Sequence, residues 1–325
     1  MIRDIMDIRR TATLLLSLLL AIAPVASSQE LNPPPDAKVQ VDRIFHALDR
    51  KNGPGCAIGV GLGASTVLAG AYGIADLEHN VPITPETVFE AGSVTKQFTA
   101  ASILLLVQQG KLSLDDPVRK YIPELPDYGS PITVRHLLNH TSGLRDWRII
   151  AAIAGRPSWT TFAYSNADAL EMAAQQRALN YVPGSEYTYT NTGFNLLAIL
   201  VGRVAGKQLP EFSRDAIFVP LAMNSTGWRD DFHRIVPNRA VAYAQDGARF
   251  RTFMPFETAY GNGGLLTTVG DLLRWNRNFT DKRVGGSSFI DAQLLGRYPE
   301  QGLSTSIGSL RRSHEADGTA VCGVK

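Results

Sequence analysis

The chain has 325 residues, 44% of them hydrophobic and 19% charged, which is ordinary for a globular protein and enough for one large core or two interleaved lobes. The formal net charge is +2, and no dense Lys/Arg block with interleaved aromatics occurs, so the composition argues against a nucleic-acid partner. Cys56 and Cys322 stand too far apart to specify a disulfide. With no C-x-x-C pair, no H-E-x-x-H and no clustered His, no metal and no cofactor is expected.

At the start of the chain, Arg3, Arg9 and Arg10 flank a short apolar run over residues 14–23, and small residues follow at Val25, Ala26, Ser27 and Ser28. This is the pattern of a signal peptide, residues 1–28, and the run is too short to span a bilayer core of roughly 30 Å. The expected mature protein is soluble, periplasmic or secreted, with no stable membrane span after signal cleavage. A Pro-rich linker opens the rest of the chain, residues 32–325. Val39, Val41, Ile44, Phe45 and Leu48 then fall at helical spacing until Gly53-Pro54-Gly55. Two β-type runs, 56–61 and 66–72, are joined by a Gly/Ser turn, and an irregular stretch with Pro82 and Pro85 leads to Ala91-Gly92-Ser93.

An amphipathic helix is predicted next, with Phe98, Ala101, Ile103, Leu104, Leu105 and Val107 as its apolar face and Gly110 as its C-terminal stop. Further helices are predicted over 134–138, 167–175, 194–204, 209–218 and 268–279, the last after a Gly-rich turn. Loops over 147–164 and 229–254 are expected to shape a pocket. The tail, 296–325, carries neither a helix nor a strand pattern. Strands first and helices in the middle predict an α+β protein, a mostly antiparallel sheet flanked by helices with an inserted helical lobe.

The first residues with chemical promise are Ser93-Val94-Thr95-Lys96. A serine hydroxyl needs a neighbouring base, and residues i and i+3 share one helical face, so Lys96 can reach Ser93. The helix N-terminus favours developing negative charge, and it acts with burial to lower a lysine from its usual value of roughly 10.4. Taken alone, the pair is equally a capping Ser followed by an exposed Lys. Tyr189 and Asn191, two residues apart in a segment read as extended, point the same way and could supply a phenolic proton shuttle and an amide for a substrate carbonyl. Their plainer reading is a packed aromatic beside a capping Asn. Other motifs are set aside. Gly59-x-Gly61-x-x-Ala64 runs on into a strand and lacks the helix N-terminus a pyrophosphate needs. His140 near Ser142 reads as a structural loop, and Asp115-Asp116 as a turn or cap.

Together these residues resemble a known family, the class C β-lactamase and serine penicillin-binding protein group with its esterase and D-aminopeptidase relatives. The resemblance lies in Gly92-Ser93-Val94-Thr95-Lys96-Gln97-Phe98 and Tyr189-Thr190-Asn191-Thr192-Gly193-Phe194-Asn195. Two further stretches, His136-Leu137-Leu138-Asn139-His140-Thr141-Ser142-Gly143-Leu144 and Gly261-Asn262-Gly263-Gly264-Leu265-Leu266-Thr267-Thr268, are similar in the same order. It implies a β-lactamase/transpeptidase-like fold and hydrolysis of an amide, β-lactam or ester carbonyl through an acyl-enzyme, on a small-molecule or peptide substrate. Ser93 would be the nucleophile, Lys96 and Tyr189 would share general base and acid, and Asn191 would orient the substrate. One oxyanion donor would be the Ser93 N–H. The group's third motif, a Lys- or His-led element ending in Gly, is not matched; Lys207 lies in helical sequence, and His314 lacks the Gly at the required spacing. From this the chain is expected to lack about two C-terminal strands and the closing helix. The alternative it leaves open is a truncated, catalytically impaired homologue that binds substrate without turnover. The oligomeric state is not specified by the sequence.

Overall fold

A computed structural model describes residues 34–62 and 65–294, together with the backbone of residues 318–322. The signal-peptide reading of residues 1–28 and the third-motif candidate His314 lie outside the described residues.

The N-terminal part is α1 (Ala37–Phe45), then β1 (Cys56–Leu62) and β2 (Ser65–Tyr72), paired antiparallel. The near-continuous apolar run of β1 follows from its having both faces covered. Cys56 and Ile58 pack with Tyr72 towards α1, where Phe45 stacks on Tyr72 at 5.7 Å. Gly59 faces the other way, and a Cβ there would sit 2.8 Å from Leu273 Cδ1 on helix α8, described below. The Gly59-x-Gly61 pair therefore admits a helix against the sheet rather than a phosphate. Short strands β3 (Ile74–Asp76), β4 (Val81–Pro82) and β5 (Phe89–Glu90) occupy the stretch read as irregular.

Helix α2 (Lys96–Gln108) is the centre of the main core. It was expected to be amphipathic, but every residue from Lys96 to Leu106 is buried. The reason is that it is covered all round, with Phe98 against Phe218 at 5.6 Å and Trp275 at 4.7 Å. Then come α3 (Val134–Leu138), α4 (Trp147–Ile153), α5 (Asn166–Ala174), α6 (Asn191–Ala205) and α7 (Leu209–Ser213). Helix α4 falls in a stretch read as loop; Asp146 caps it, accepting from Arg148 N at 2.9 Å. Asn191 is the first residue of α6 rather than part of an extended segment, because Thr190 is the N-cap.

The chain continues through β6 (Gly227–Trp228), the hairpin β7 (Tyr243–Asp246) and β8 (Arg249–Thr252), β9 (Leu265–Thr267), α8 (Val269–Asp281) and α9 (Gly286–Leu294). The hairpin also falls in a stretch read as loop, although Asp246-Gly247 at its turn, with Gly247 at φ +61°, is a hairpin signal. The tail, read as lacking strands, supplies β10 (Gly318–Cys322), antiparallel to β1. Among the described residues every pairing between these strands is antiparallel, in the orders β10-β1-β2, β3-β4, β5-β9-β6 and β7-β8, while the isolated bridges Pro54–Ile74 and Val88–Arg239 are parallel. Helices α2 to α7 are inserted between β5 and β6, both neighbours of β9.

Gly261 holds this arrangement together at the edge of the cluster described next. Its φ is +99°, its carbonyl accepts from Thr99 Oγ1 at 2.8 Å, and a Cβ would lie 2.6 Å from Ala198 Cβ and 2.7 Å from Phe194 O. Gly110 has φ +66° with nothing within 4 Å of a Cβ. Gly261→Ala is therefore expected to lower unfolding free energy by about 3 kcal/mol or more, strain and overlap combined. Gly110→Ala should cost only about 1 kcal/mol. Urea denaturation of both variants checks the difference.

Candidate functional site

Ser93 lies in a tight 3₁₀ turn, Gly92–Thr95, that feeds straight into α2. Gly92 opens the turn at φ +52°, and β9 pins both sides of it: Ala91 N donates to Leu265 O at 2.8 Å, and Leu265 N donates to Thr95 Oγ1 at 3.2 Å. The result is an exposed Ser93 standing over a Lys96 that is only 2% exposed.

The second half of the cluster comes from the start of α6. Ser93 Oγ and Tyr189 Oη are 2.6 Å apart, and Lys96 Nζ lies 3.3 Å from Ser93 Oγ. Lys96 Nζ also donates to Asn191 Oδ1 at 3.0 Å and to the Asn262 carbonyl at 2.6 Å. All four sequence-predicted site residues, Ser93, Lys96, Tyr189 and Asn191, are thus brought together. The expected common direction of Tyr189 and Asn191 arises differently from the strand alternation supposed. Tyr189 precedes the cap while Asn191 follows it, and both turn inward onto Lys96.

Burial pushes the Lys96 amine down to about 7, the nearby Arg148 charge adds to this, and Asp146 opposes it. An ammonium offers three donors, matched here by three acceptors. In the neutral amine the two carbonyls keep two N–H groups, and the lone pair is left facing Ser93 Oγ. The arrangement can therefore take a proton from the Ser93 hydroxyl. Burial raises the Tyr189 phenol, against the smaller pull of its bond to Ser93, so it stays un-ionised and can donate a proton.

Three residues of the site were not singled out from the sequence. His140, read as a structural loop residue, does not engage Ser142; its ring packs on Tyr189 at 4.5 Å and on Phe194 at 5.1 Å. Its Nδ1 accepts from Thr190 N at 3.3 Å. Burial, helped by the Lys96 charge, pushes His140 down to about 3, so it is a neutral platform and no base. Asn262 turns its carbonyl to Lys96, while its side chain accepts from Asn195 Nδ2 at 2.9 Å. Asp146 accepts from both the backbone and side-chain nitrogens of Asn191. Its position just before an apolar run, where a cap is favoured, was the available signal.

Beside the cluster, Arg148 pairs with the buried Glu257, and Arg229 pairs with Glu257 and Glu90. Arg148 also lies over the rings of Trp147 and Trp159, each at 5.5 Å. Asp115-Asp116 forms a turn, with Asp116 accepting from Ser113 N at 2.8 Å and Tyr121 Oη at 2.6 Å. Among the described residues the one group with metal-like spacing is Asp76, Glu78 and His79, at the end of β3 and the turn after it, with Glu78 and His79 exposed.

The Beta-lactamase family model matches residues 41–306, a span that contains the whole cluster. The chain belongs to this family. Penicillin-binding protein 4* of Bacillus subtilis is 31% identical over 275 residues, covering 77% of this chain and 59% of that protein. D-aminopeptidase of Brucella canis is 29% identical over 276 residues, covering 83% of this chain and 48% of that protein. The chain therefore spans about half to three fifths of the length of these curated relatives. The octameric penicillin-binding protein homologue from Pyrococcus abyssi superposes with a TM-score of 0.72 at 27% identity, over 84% of this chain and 64% of that one. The α+β fold is thus the β-lactamase and penicillin-binding protein fold.

Within this β-lactamase-family site, His140 should remain neutral throughout the working range. Nitrogen-15 NMR of its ring is expected to show no protonation between about pH 8 and pH 5, whereas a transition near the ordinary value of about 6.5 would contradict the burial described.

Proposed function

We propose that this chain is an exported serine hydrolase that cleaves an amide, β-lactam or ester carbonyl through a covalent acyl-enzyme on Ser93. The observation that carries the reading is the pair of contacts on Ser93 Oγ: a buried amine pushed down to about 7 on one side and an un-ionised phenol on the other. Export is supported by the signal-peptide pattern of residues 1–28, with the remainder, 32–325, as the hydrolase domain. The names of the penicillin-binding protein and D-aminopeptidase relatives support a peptide, amide or β-lactam acyl donor.

In the first half-reaction neutral Lys96 takes the Ser93 proton as Oγ bonds to the substrate carbonyl carbon. The carbonyl electron pair moves to its oxygen, where the Ser93 N–H at the helix start would be one donor. When the carbonyl re-forms, the bond to the leaving nitrogen or oxygen breaks. The leaving group takes the Tyr189 proton, which Lys96 then replaces. Water repeats the sequence on the acyl-enzyme: it gives its proton to Lys96, bonds to the acyl carbon and displaces Ser93, which recovers the proton. Asn191, with its carbonyl turned to Lys96, has an amide N–H to offer the substrate.

Hydrolysis of a chromogenic ester is expected in wild type and should vanish in Ser93→Ala. Binding without turnover in wild type would instead favour a binding protein. The rate of acylation should rise with pH through about 7, because Lys96 must lose its proton to act. Lys96→Arg, whose guanidinium stays charged, should lower kcat/KM by about 100- to 10,000-fold and flatten that limb. A rate that is unchanged from about pH 5 to about pH 9 would contradict Lys96 as the base.

A further inference from the structure

We infer that Asp146 is a positioning residue of this site: its carboxylate fixes the direction of the Asn191 amide, so that the amide carbonyl faces Lys96 and an amide N–H is left for the substrate. The inference deepens the acyl-enzyme reading, and its catalytic consequence rests on that reading.

Asp146 Oδ2 accepts two hydrogen bonds from one residue, from Asn191 N at 2.6 Å and from Asn191 Nδ2 at 2.9 Å. Its Oδ1 accepts from Arg148 N at 2.9 Å, so one carboxylate ties the N-termini of α4 and α6 together. As the first residue of α6, Asn191 has a backbone N–H with no intrahelical partner. The cap residue Thr190 does not supply one, since its hydroxyl accepts from Thr192 N at 3.2 Å. Asp146 does.

An amide has a donor end and an acceptor end, and here the two ends meet different groups. Turned over, Asn191 would place Nδ2 against the Lys96 amine and Oδ1 against the Asp146 carboxylate, donor on donor and acceptor on acceptor. The observed rotamer instead gives Lys96 Nζ an acceptor at 3.0 Å. With Asp146 removed, nothing holds Nδ2 away from Lys96, and the amine loses one of its three fixed acceptors. The charged and titratable groups around this point are Lys96 from α2, Tyr189 and His140 from the flanking loops, and Arg148 from α4 with Glu257 as its partner. Asp146 is the negative member that favours a charged Lys96, and Arg148 opposes it. Loss of the charge and loss of the acceptor therefore act in one direction, towards a neutral amine. A carboxylate that merely capped α4 would exert the charge without holding the acceptor.

The test compares wild type, Asp146→Ala, Asp146→Asn and Ala152→Gly, the last weakening α4 at an exposed position. Each protein carries lysine labelled with carbon-13 at the ε position, and Lys96→Met assigns the signal. In Asp146→Ala the Lys96 titration should fall by about one pH unit below wild type. Ala152→Gly should match wild type, and Asp146→Asn, which keeps one oxygen for Asn191, should fall between. On a chromogenic ester, kcat/KM should drop by about 100-fold in Asp146→Ala and recover in part in Asp146→Asn. If both Asp146 variants titrate alike, whether as Ala152→Gly does or lowered by the same amount, the retained oxygen of Asp146→Asn makes no difference and the inference is overturned. Should Asp146→Ala not fold, Asp146→Ser, which keeps a cap for α4 with a shorter side chain, takes its place in that comparison. The titration needs no turnover, so a wild type that hydrolyses nothing counts against the acyl-enzyme reading alone and leaves Asp146 to be judged by NMR.

Discussion

The Nζ atom of Lys96 is where three separate stretches of chain meet: the turn carrying Ser93, the first residue of α6 and the Gly-rich segment before β9. For that amine to be 2% exposed, α2 must be covered along nearly its whole length, and α6, α7, α8 and α9 supply the cover. The burial has an energetic consequence. Moving the amine from 10.5 to about 7 corresponds to about 5 kcal/mol of lost preference for its charged form. Because the folded value lies below the unfolded one, this destabilisation is full below about pH 7 and fades as pH rises towards 10.5. The fold tolerates the cost with a large apolar core around Phe98, Phe218 and Trp275 and with three fixed hydrogen-bond acceptors.

Rigidity at this point comes from backbone as much as from side chains. Gly261 fits between Thr99 on α2 and the Phe194–Ala198 turn of α6, and that fit delivers the Asn262 carbonyl to Lys96. The Asn262 side chain is held in turn by Asn195, whose Oδ1 accepts from Trp147 Nε1 at 2.9 Å. A line of polar contacts therefore runs from α4 through α6 to the segment before β9, with every member buried or half-buried. Such networks specify one arrangement when each group is satisfied, which is what positioning a nucleophile within tenths of an ångström requires.

Much of this was legible from local sequence. Ser93 and Lys96 are three residues apart at a helix start, and Tyr189 and Asn191 lie within one turn of another, so periodicity and capping rules reach them. The helices of the middle segment were found from Pro and Gly punctuation, and Thr133, Ser165 and Thr190 prove to cap them. Asp146, His140 and Asn262 were not, because their roles depend on partners 45, 50 and 166 residues away. Helix α4 was missed because Ile149 and Ile153 are exposed while Trp147 and Ala151 are buried, so its apolar residues mark no single face. The burial of α2 on all sides was likewise invisible: a helix with polar Gln97, Thr99 and Ser102 reads as two-faced until the Gly261 and Phe98 carbonyls are seen to accept from Thr99 and Ser102, and Trp275 Nε1 to donate to Gln97.

Catalysis at this site turns on Ser93 Oγ being the atom that is acylated. Purified protein should be incubated with a penicillin or a fluorophosphonate, digested, and its peptides mapped by mass spectrometry. The account predicts a single covalent adduct on the Ser93 peptide that forms faster above pH 7 than below it and is absent after unfolding. An adduct on another residue, or folded protein that remains unmodified with both reagents, would contradict it.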